Sequence, residues 1–287
     1  MTDRDGELLA FAVDVARQAG DLLLRHLPLR RWRGEGVSAK AGRELVSSVD
    51  RAAEDLIVSA VRARYPGHGV VAEEGGTIAA AEAADGYRWI VDPLDGTGNF
   101  LHGHPFFAVS IAVEQLRPAA AAAEAPQIVA AAICAPRLDE IFFAARGEGA
   151  FLNTRAVRLA ASPTAELSDA LVATGFAYDR ARYPNYDNFA RVAEQTRGIN
   201  RCGAAAIDLA YVAAGRYDAF WELGLRAHDV AAGALLVAEA GGRVSDFAGG
   251  SSWLDGANIL ATNGRLHEPV RALLDPVARS APGERRS

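Results

Sequence analysis

Lysine is almost absent from this chain: Lys and Arg together number 30 of 287 residues, and Lys40 is the one lysine among them. Cysteine is nearly as scarce. Cys134 and Cys202 are far apart in sequence and sit among apolar or small residues, so they read as ordinary packed thiols, and no cysteine–histidine cluster offers a soft metal site. His102 and His104 share a loop but lack further ligands, which removes a transition-metal reading. An excess of positive charge is also missing. With a net charge of -6 and a pI near 5.6, the chain lacks the basic footprint of a general nucleic-acid binder. The run of Arg25, Arg30, Arg31 and Arg33 around Trp32 reads as a solvated helix end and loop. No apolar run approaches the roughly 20 residues that cross a bilayer. Residues 1–7 show no basic segment followed by an apolar one, so the expected location is a reducing cytoplasm, away from membranes.

What is present is a globular balance of residues: 50% are hydrophobic and mean hydropathy is +0.03. The length allows one compact unit or two closely packed halves with a sizeable core. Residues 8–27 and 51–64 carry amphipathic helical patterns, the second closing at Tyr65-Pro66-Gly67. Residues 106–116, 128–135 and 140–145 read as strands of an antiparallel meander, with a turn at 147–149; residues 118–126 form an alanine-rich connection. Beyond about residue 162 the pattern alternates short strands and helices, over 170–174, 186–197, 199–202, 204–214, 219–222 and 230–240. This predicts an N-terminal α+β half (1–160), a C-terminal α/β half (161–277) and a disordered tail (278–287).

The most informative stretch is Trp89-Ile90-Val91-Asp92-Pro93-Leu94-Asp95-Gly96-Thr97-Gly98-Asn99-Phe100. An apolar run delivers two carboxylates to a turn that then offers Gly and Thr. Pro93 stiffens the backbone between the acids, Gly96 lets main chain approach a ligand closely, and Thr97 adds a hydroxyl beside free amides at a helix start. Such a turn holds a hard cation against a phosphate, although an Asp-Pro turn with Asp95 and Thr97 as capping residues is the plainer alternative. Three further acidic sites shift the balance. Glu73 and Glu74 precede Gly75-Gly76 after the apolar pair Val70-Val71; Asp50 stands near the start of a helix; and Asp229 opens a small-residue helix that runs on to Glu239-Ala240-Gly241-Gly242. Asp92, Asp95, Glu73 and Asp229 together make an oxygen-rich set of the kind magnesium prefers.

These four segments together resemble the inositol monophosphatase family of metal-dependent, lithium-sensitive phosphatases. Its motifs read approximately Asp-Pro-(Leu/Ile)-Asp-Gly-Thr-x-Asn-Phe, Glu-Glu after a strand, and (Trp/His)-Asp-x-Ala-Ala-Gly ending in Glu-Ala-Gly-Gly. The match runs from about residue 8 to 267 in the family's order and spacing. The resemblance implies a layered αβαβα sandwich of the inositol monophosphatase and fructose-1,6-bisphosphatase type, commonly a homodimer, with two to three Mg2+ ions between the halves. It implies that Glu73, Asp92 and the Leu94 carbonyl bind a first ion, that Asp92, Asp95 and Asp229 bind a second, and that a weaker third leans on Glu73. Catalysis by metal-activated water falls to Glu73, Thr97 and Asp50. The amides of Gly96 and Thr97 cradle the phosphate, while Asp95, Glu222 and the stretch around Ala205 contact the alcohol.

Two departures bear on substrate: Ala204 replaces a hydroxyl residue of the family, and His228 stands where many members carry Trp. The family places a lysine about ten residues before the acid matched by Asp50, and Lys40, in an otherwise arginine-only chain, supplies it near the metal waters. The implied substrate is a small phosphate ester, myo-inositol 1-phosphate first. Histidinol-phosphate, fructose-1,6-bisphosphate and 3'(2'),5'-bisphosphate nucleotide hydrolysis are the competitors within the superfamily, the last disfavoured because its long insertions have no room here. A regulatory or RNA-associated binding role is the alternative of a different class.

Overall fold

The computed structural model describes residues 3–27, 37–39, 45–78, 86–116, 126–254 and 258–274. Lys40, Arg30, Arg31, Trp32 and Arg33, most of the alanine-rich connection and the tail expected to be disordered lie outside these residues.

Helix α1 (Asp3–His26) repeats Leu8, Ala12, Val15, Ala16, Ala19 and Leu23 on one face, and all are buried. Helix α2 (Ser48–Arg64) does the same with Val49, Ala53, Ile57 and Val61, but its inner face also buries Asp50 and Glu54. Two carboxylates on an apolar face demand partners, and both find them in the turns described below. A short antiparallel pair, β1 (Val37–Ala39) and β2 (Leu45–Ser47), precedes α2.

Eight strands build the larger sheet: β3 (Gly69–Ala72), β4 (Gly76–Ile78), β5 (Tyr87–Asp95), β6 (Ala108–Gln115), β7 (Ile128–Ala135), β8 (Glu140–Ala145), β9 (Gly149–Leu152) and β10 (Thr154–Arg158). Their order is β10-β9-β8-β7-β6-β5-β3-β4, antiparallel throughout except for β3 beside β5. Every residue of β7 is buried because both faces of the sheet are covered. Trp89 and Val91 pack with α1 and α2 on one side, whereas Ile90, Ala112, Ile133 and Phe142 pack on the other with α5 (Ala205–Ala213) and α6 (Ala227–Glu239).

The second sheet contains β11 (Leu171–Thr174), β12 (Gly198–Asn200), β13 (Ala219–Leu223), β14 (Arg243–Ser245) and β15 (Asn258–Thr262) in the order β12-β11-β13-β15-β14. Strand β11 runs parallel to both neighbours. Phe220 and Ile259 join the α5–α6 layer, while Trp221, Leu223 and Leu260 join Val192 of α4 (Tyr186–Ala193) and Val270 of α7 (His267–Leu273). The layers therefore succeed one another as helix, eight-stranded sheet, helix, five-stranded sheet, helix, which is the αβαβα sandwich. No helix among the described residues is long and apolar enough to cross a membrane.

The helix expected over 186–197 stops at Ala193, and the strand expected over 199–202 spans Gly198–Asn200. Strands β9, β10, β14 and β15 were not separable by pattern. All five residues of β10 are exposed, so no apolar periodicity marks it.

Candidate metal centre

The centre begins where β5 breaks register with β6 between Asp92 and Asp95. Pro93 has no amide hydrogen to give the ladder, so the strand bends there and both acids turn inward, buried at 1% and 8% exposure. Asp92 Oδ1 accepts the Leu94 N–H at 3.0 Å. Gly96 then adopts φ +86°, and a Cβ on it would lie 2.9 Å from the Phe106 carbonyl oxygen, so only glycine fits. Helix α3 (Thr97–Leu101) starts immediately after it.

Thr97 Oγ1 lies 2.9 Å from Asp50 Oδ1 and 3.1 Å from the Leu94 carbonyl, so its single proton is shared between these acceptors. Asp50 comes from the first turn of α2, and one helical turn later Glu54 performs a matching task. Its Oε2 accepts the Glu74 N–H at 2.8 Å and its Oε1 the Gly75 N–H at 2.6 Å. The turn that carries Glu73 is thereby tied to the same helix that holds Thr97.

The remaining acids arrive from the far side of the cleft. Asp229 stands in the first turn of α6, where its Oδ2 accepts the Arg226 N–H at 2.6 Å. Glu222 lies on β13, buried at 9% exposure. The carboxylates of Asp92, Asp95 and Asp229 bring one oxygen each within 4.8 Å of one another, and so do Glu73, Asp92 and a ring nitrogen of His228. Asp95 joins the two sides: its Oδ2 accepts the Ala206 N–H at 2.7 Å, at the start of α5.

These groups line one cavity of about 540 Å³ together with Leu94, Gly96, Thr97, Ala205, Gly175 and Arg201. Crowded, buried carboxylates resist ionisation. Burial, followed by Glu73, Asp95 and Asp229, pushes Asp92 well above the ordinary carboxylate range. Burial and Asp229 push Asp95 up to about 8, against the N–H groups of Ala206 and Ala205. Glu222 is also pushed up to about 8 by burial and Asp229, with Arg201 opposing, and burial raises Asp229 despite His228. A hard divalent cation answers this arrangement: the donors are oxygens, they converge from several elements, and their mutual repulsion is relieved by positive charge.

Of the residues singled out in the sequence, Glu73, Asp92, Leu94, Asp95, Gly96, Thr97, Ala205, Glu222 and Asp229 meet at this cavity, and Asp50 stands directly behind Thr97. Lys40 lies outside the described residues. Ala204 is buried at the N-cap of α5 and offers that helix no side-chain acceptor. Sequence reasoning missed Glu54, which reads as an ordinary helical acid, and the ligand-like placement of His228, for which adjacency to Asp229 was the available signal. It also missed Asp208, whose two carboxylate oxygens are buried without a hydrogen-bond partner among the described residues. His102 and His104 are exposed, and neither joins a metal-ligand group among the described residues. Both cysteines are free thiols.

Fold and site together define a layered α/β protein with an acidic, oxygen-donor centre at the C-terminal end of the interior strand β5. Known proteins resemble this chain in sequence and fold. The sequence profile of the inositol monophosphatase family matches residues 5–278. A protein named Nus factor SuhB from Pseudomonas aeruginosa is 44% identical over 273 residues, covering 94% of this chain and 96% of that protein. One named inositol-1-monophosphatase from Mesorhizobium japonicum is 43% identical over 272 residues, again covering 94% of this chain and 96% of its own length. The crystal structure of the extragenic suppressor protein suhB from Bartonella henselae superposes with a TM-score of 0.82 at 40% identity, covering 94% of this chain and 99% of that one. The chain belongs to the inositol monophosphatase family.

Proposed function

We propose that this protein is a Mg2+-dependent phosphomonoesterase that hydrolyses myo-inositol 1-phosphate or a similar small polyol phosphate. The observation that carries the reading is the convergence of Asp92, Asp95 and Asp229, with Glu73 beside them, around the Gly96–Thr97 turn in one cavity. Magnesium held by Glu73, Asp92, the Leu94 carbonyl, Asp95 and Asp229 would supply positive charge that acidifies water and offsets charge developing on the phosphoryl and leaving oxygens. The chain supplies the rest. The amides of Gly96 and Thr97 donate to phosphate oxygens. The Thr97 hydroxyl spends its proton on Asp50 and the Leu94 carbonyl, so its lone pairs face the cavity as acceptors for a water hydrogen. Glu73, fixed through Glu54, orients the same water and accepts its proton. Glu222 and the second oxygen of Asp95 accept hydrogen bonds from substrate hydroxyls.

The test is phosphate release from inositol 1-phosphate, histidinol phosphate, fructose 1,6-bisphosphate and adenosine 3',5'-bisphosphate, with and without Mg2+, by the native protein and by Asp92→Asn. Magnesium-dependent turnover that prefers the inositol ester, is lost in the variant by several orders of magnitude and is inhibited by millimolar lithium is the expected outcome. Preference for another ester would change the substrate and leave the chemistry. A homodimer accompanies this reading and is checked by light scattering.

The names of the SuhB relatives favour a second reading, in which this chain also acts as a regulatory factor on RNA or the transcription machinery. Asp92→Asn separates the two, because a regulatory role survives the loss of a metal ligand and hydrolysis does not.

A further inference from the structure

Glu222 owes its position to an absence. Strand β11 runs parallel to β13 with Thr174 opposite Trp221, so the next residue, Gly175, lies beside Glu222. A Cβ built on Gly175 would fall 2.0 Å from Glu222 Oε2 and 2.2 Å from both Cδ and Oε1. The carboxyl group thus occupies the space that any side chain at 175 would need. The cause is room rather than backbone conformation, since Gly175 does not lie in the left-handed region.

The backbone on both sides of this contact is pinned, so the Glu222 carboxylate is the part that can give way. Asn185, buried at 1% exposure, donates from Nδ2 to the Gly175 carbonyl at 2.7 Å and accepts the Trp221 indole N–H at 2.9 Å. Thr174 Oγ1 donates to the Trp221 carbonyl at 2.7 Å. One buried amide therefore clamps the residue that makes room and the residue preceding the one that uses it. Glu222 itself receives no hydrogen bond from the protein among the described residues, and it lines the cavity, so its acceptor capacity is directed at a ligand.

We propose that Gly175 is the positioning residue that sets selectivity for hydroxyl-bearing phosphate esters, by letting the Glu222 carboxylate recess into the cavity wall at a depth that leaves room for a polyol. This rests on the reading of Glu222 as an acceptor for substrate hydroxyls. A methyl group at 175 drives the carboxylate into the space the polyol fills.

The test is a cycle of Gly175→Ala, Glu222→Ala and the double variant. Each is assayed with saturating Mg2+ on inositol 1-phosphate and on p-nitrophenyl phosphate, whose leaving group carries no further hydroxyl. The readout is the ratio of the two kcat/KM values. Gly175→Ala is expected to lower the ratio about tenfold or more, chiefly through KM for the inositol ester, and to change it less than about twofold when Glu222 is already Ala. Gly175→Ala/Glu222→Asp, shorter by one methylene, regains part of the loss. A ratio unmoved by Gly175→Ala, or an equal drop with and without Glu222, overturns the proposal. If Glu222→Ala alone leaves the ratio unchanged while turnover stays Mg2+-dependent, the reading of Glu222 fails and takes the proposal with it. Should Gly175→Ala not fold, recovery of folded protein on adding Glu222→Ala reports the same contact, and lack of recovery overturns it.

Discussion

At the scale of single residues, the centre depends on groups that never face substrate. Glu54 holds the amides of Glu74 and Gly75 and so decides where the neighbouring Glu73 carboxylate points. Glu54→Gln replaces one acceptor oxygen with a donor facing an N–H, which loosens the turn. The expected result is a rise of about tenfold or more in the Mg2+ concentration for half-maximal activity, with a matching weakening of Mn2+ binding measured by EPR. Unchanged metal affinity would assign Glu54 a purely structural role. The crowded carboxylates also make a pH prediction. Asp95 and Glu222 titrate near 8 in the folded chain, against about 4 when unfolded. Between these values the folded state retains protons that the unfolded state has released, so stability without divalent cation falls as pH rises from about 4 to 8. Mg2+ offsets that loss, and the gap between melting temperatures in Mg2+ and in EDTA should widen from pH 5 to pH 8. A gap that narrows with pH would contradict the assignment of these acids to the cation. Asp92 and Asp95 were legible because their spacing relative to Pro93, Gly96 and Thr97 is local, whereas Glu73, Glu222 and Asp229 were singled out only from separate segments that match the family's motifs. Glu54 was not, because its partners lie about twenty residues away, across a turn.

At the scale of elements, short pieces are held by bonds between segments distant in sequence. Asn99 of α3 donates from Nδ2 toward the carbonyls of Phe106 at 2.6 Å, Cys202 at 2.8 Å and Gly203 at 3.3 Å. This ties the turn after Asp95 to the loop that enters α5. Asn99→Ala leaves these carbonyls short of a donor and should destabilise the protein by about 1–3 kcal/mol, measured by urea denaturation; a change below about 0.5 kcal/mol, the range of ordinary surface substitutions, would show that water replaces the amide. The same loop explains the missing hydroxyl at position 204. A helix with Ala at its N-cap lacks a side-chain acceptor, and Asp95 provides one from outside by taking the Ala206 N–H. Helices α1 and α2 were legible because their apolar residues recur at helical spacing. Strands β7 and β8 were legible because they are continuous apolar runs. Strand β10 was not, since an exposed edge strand carries no burial pattern.

At the scale of the whole molecule, the five layers bring acids from residues 73 to 229 to one cavity. Because a cation bound there prefers the folded chain, Mg2+ should raise the melting temperature in proportion to the logarithm of its concentration above the dissociation constant. Asp92→Asn should abolish most of that shift, and calorimetry reads both; an undiminished shift in the variant would place the stabilising ion elsewhere. The sequence by itself determined the turn on which the candidate centre is built, because the Asp-Pro-Leu-Asp-Gly-Thr segment fixes its own local geometry through Pro93 and the left-handed Gly96. It also determined the order of the main elements, through apolar periodicity. Only the tertiary structure decided that α2 supports both the Thr97 turn and the Glu73 turn, that Asp95 caps a helix more than a hundred residues away, and that Gly175 makes room for Glu222. Those contacts join residues far apart in the chain, and no single-sequence pattern encodes a distance that packing alone creates.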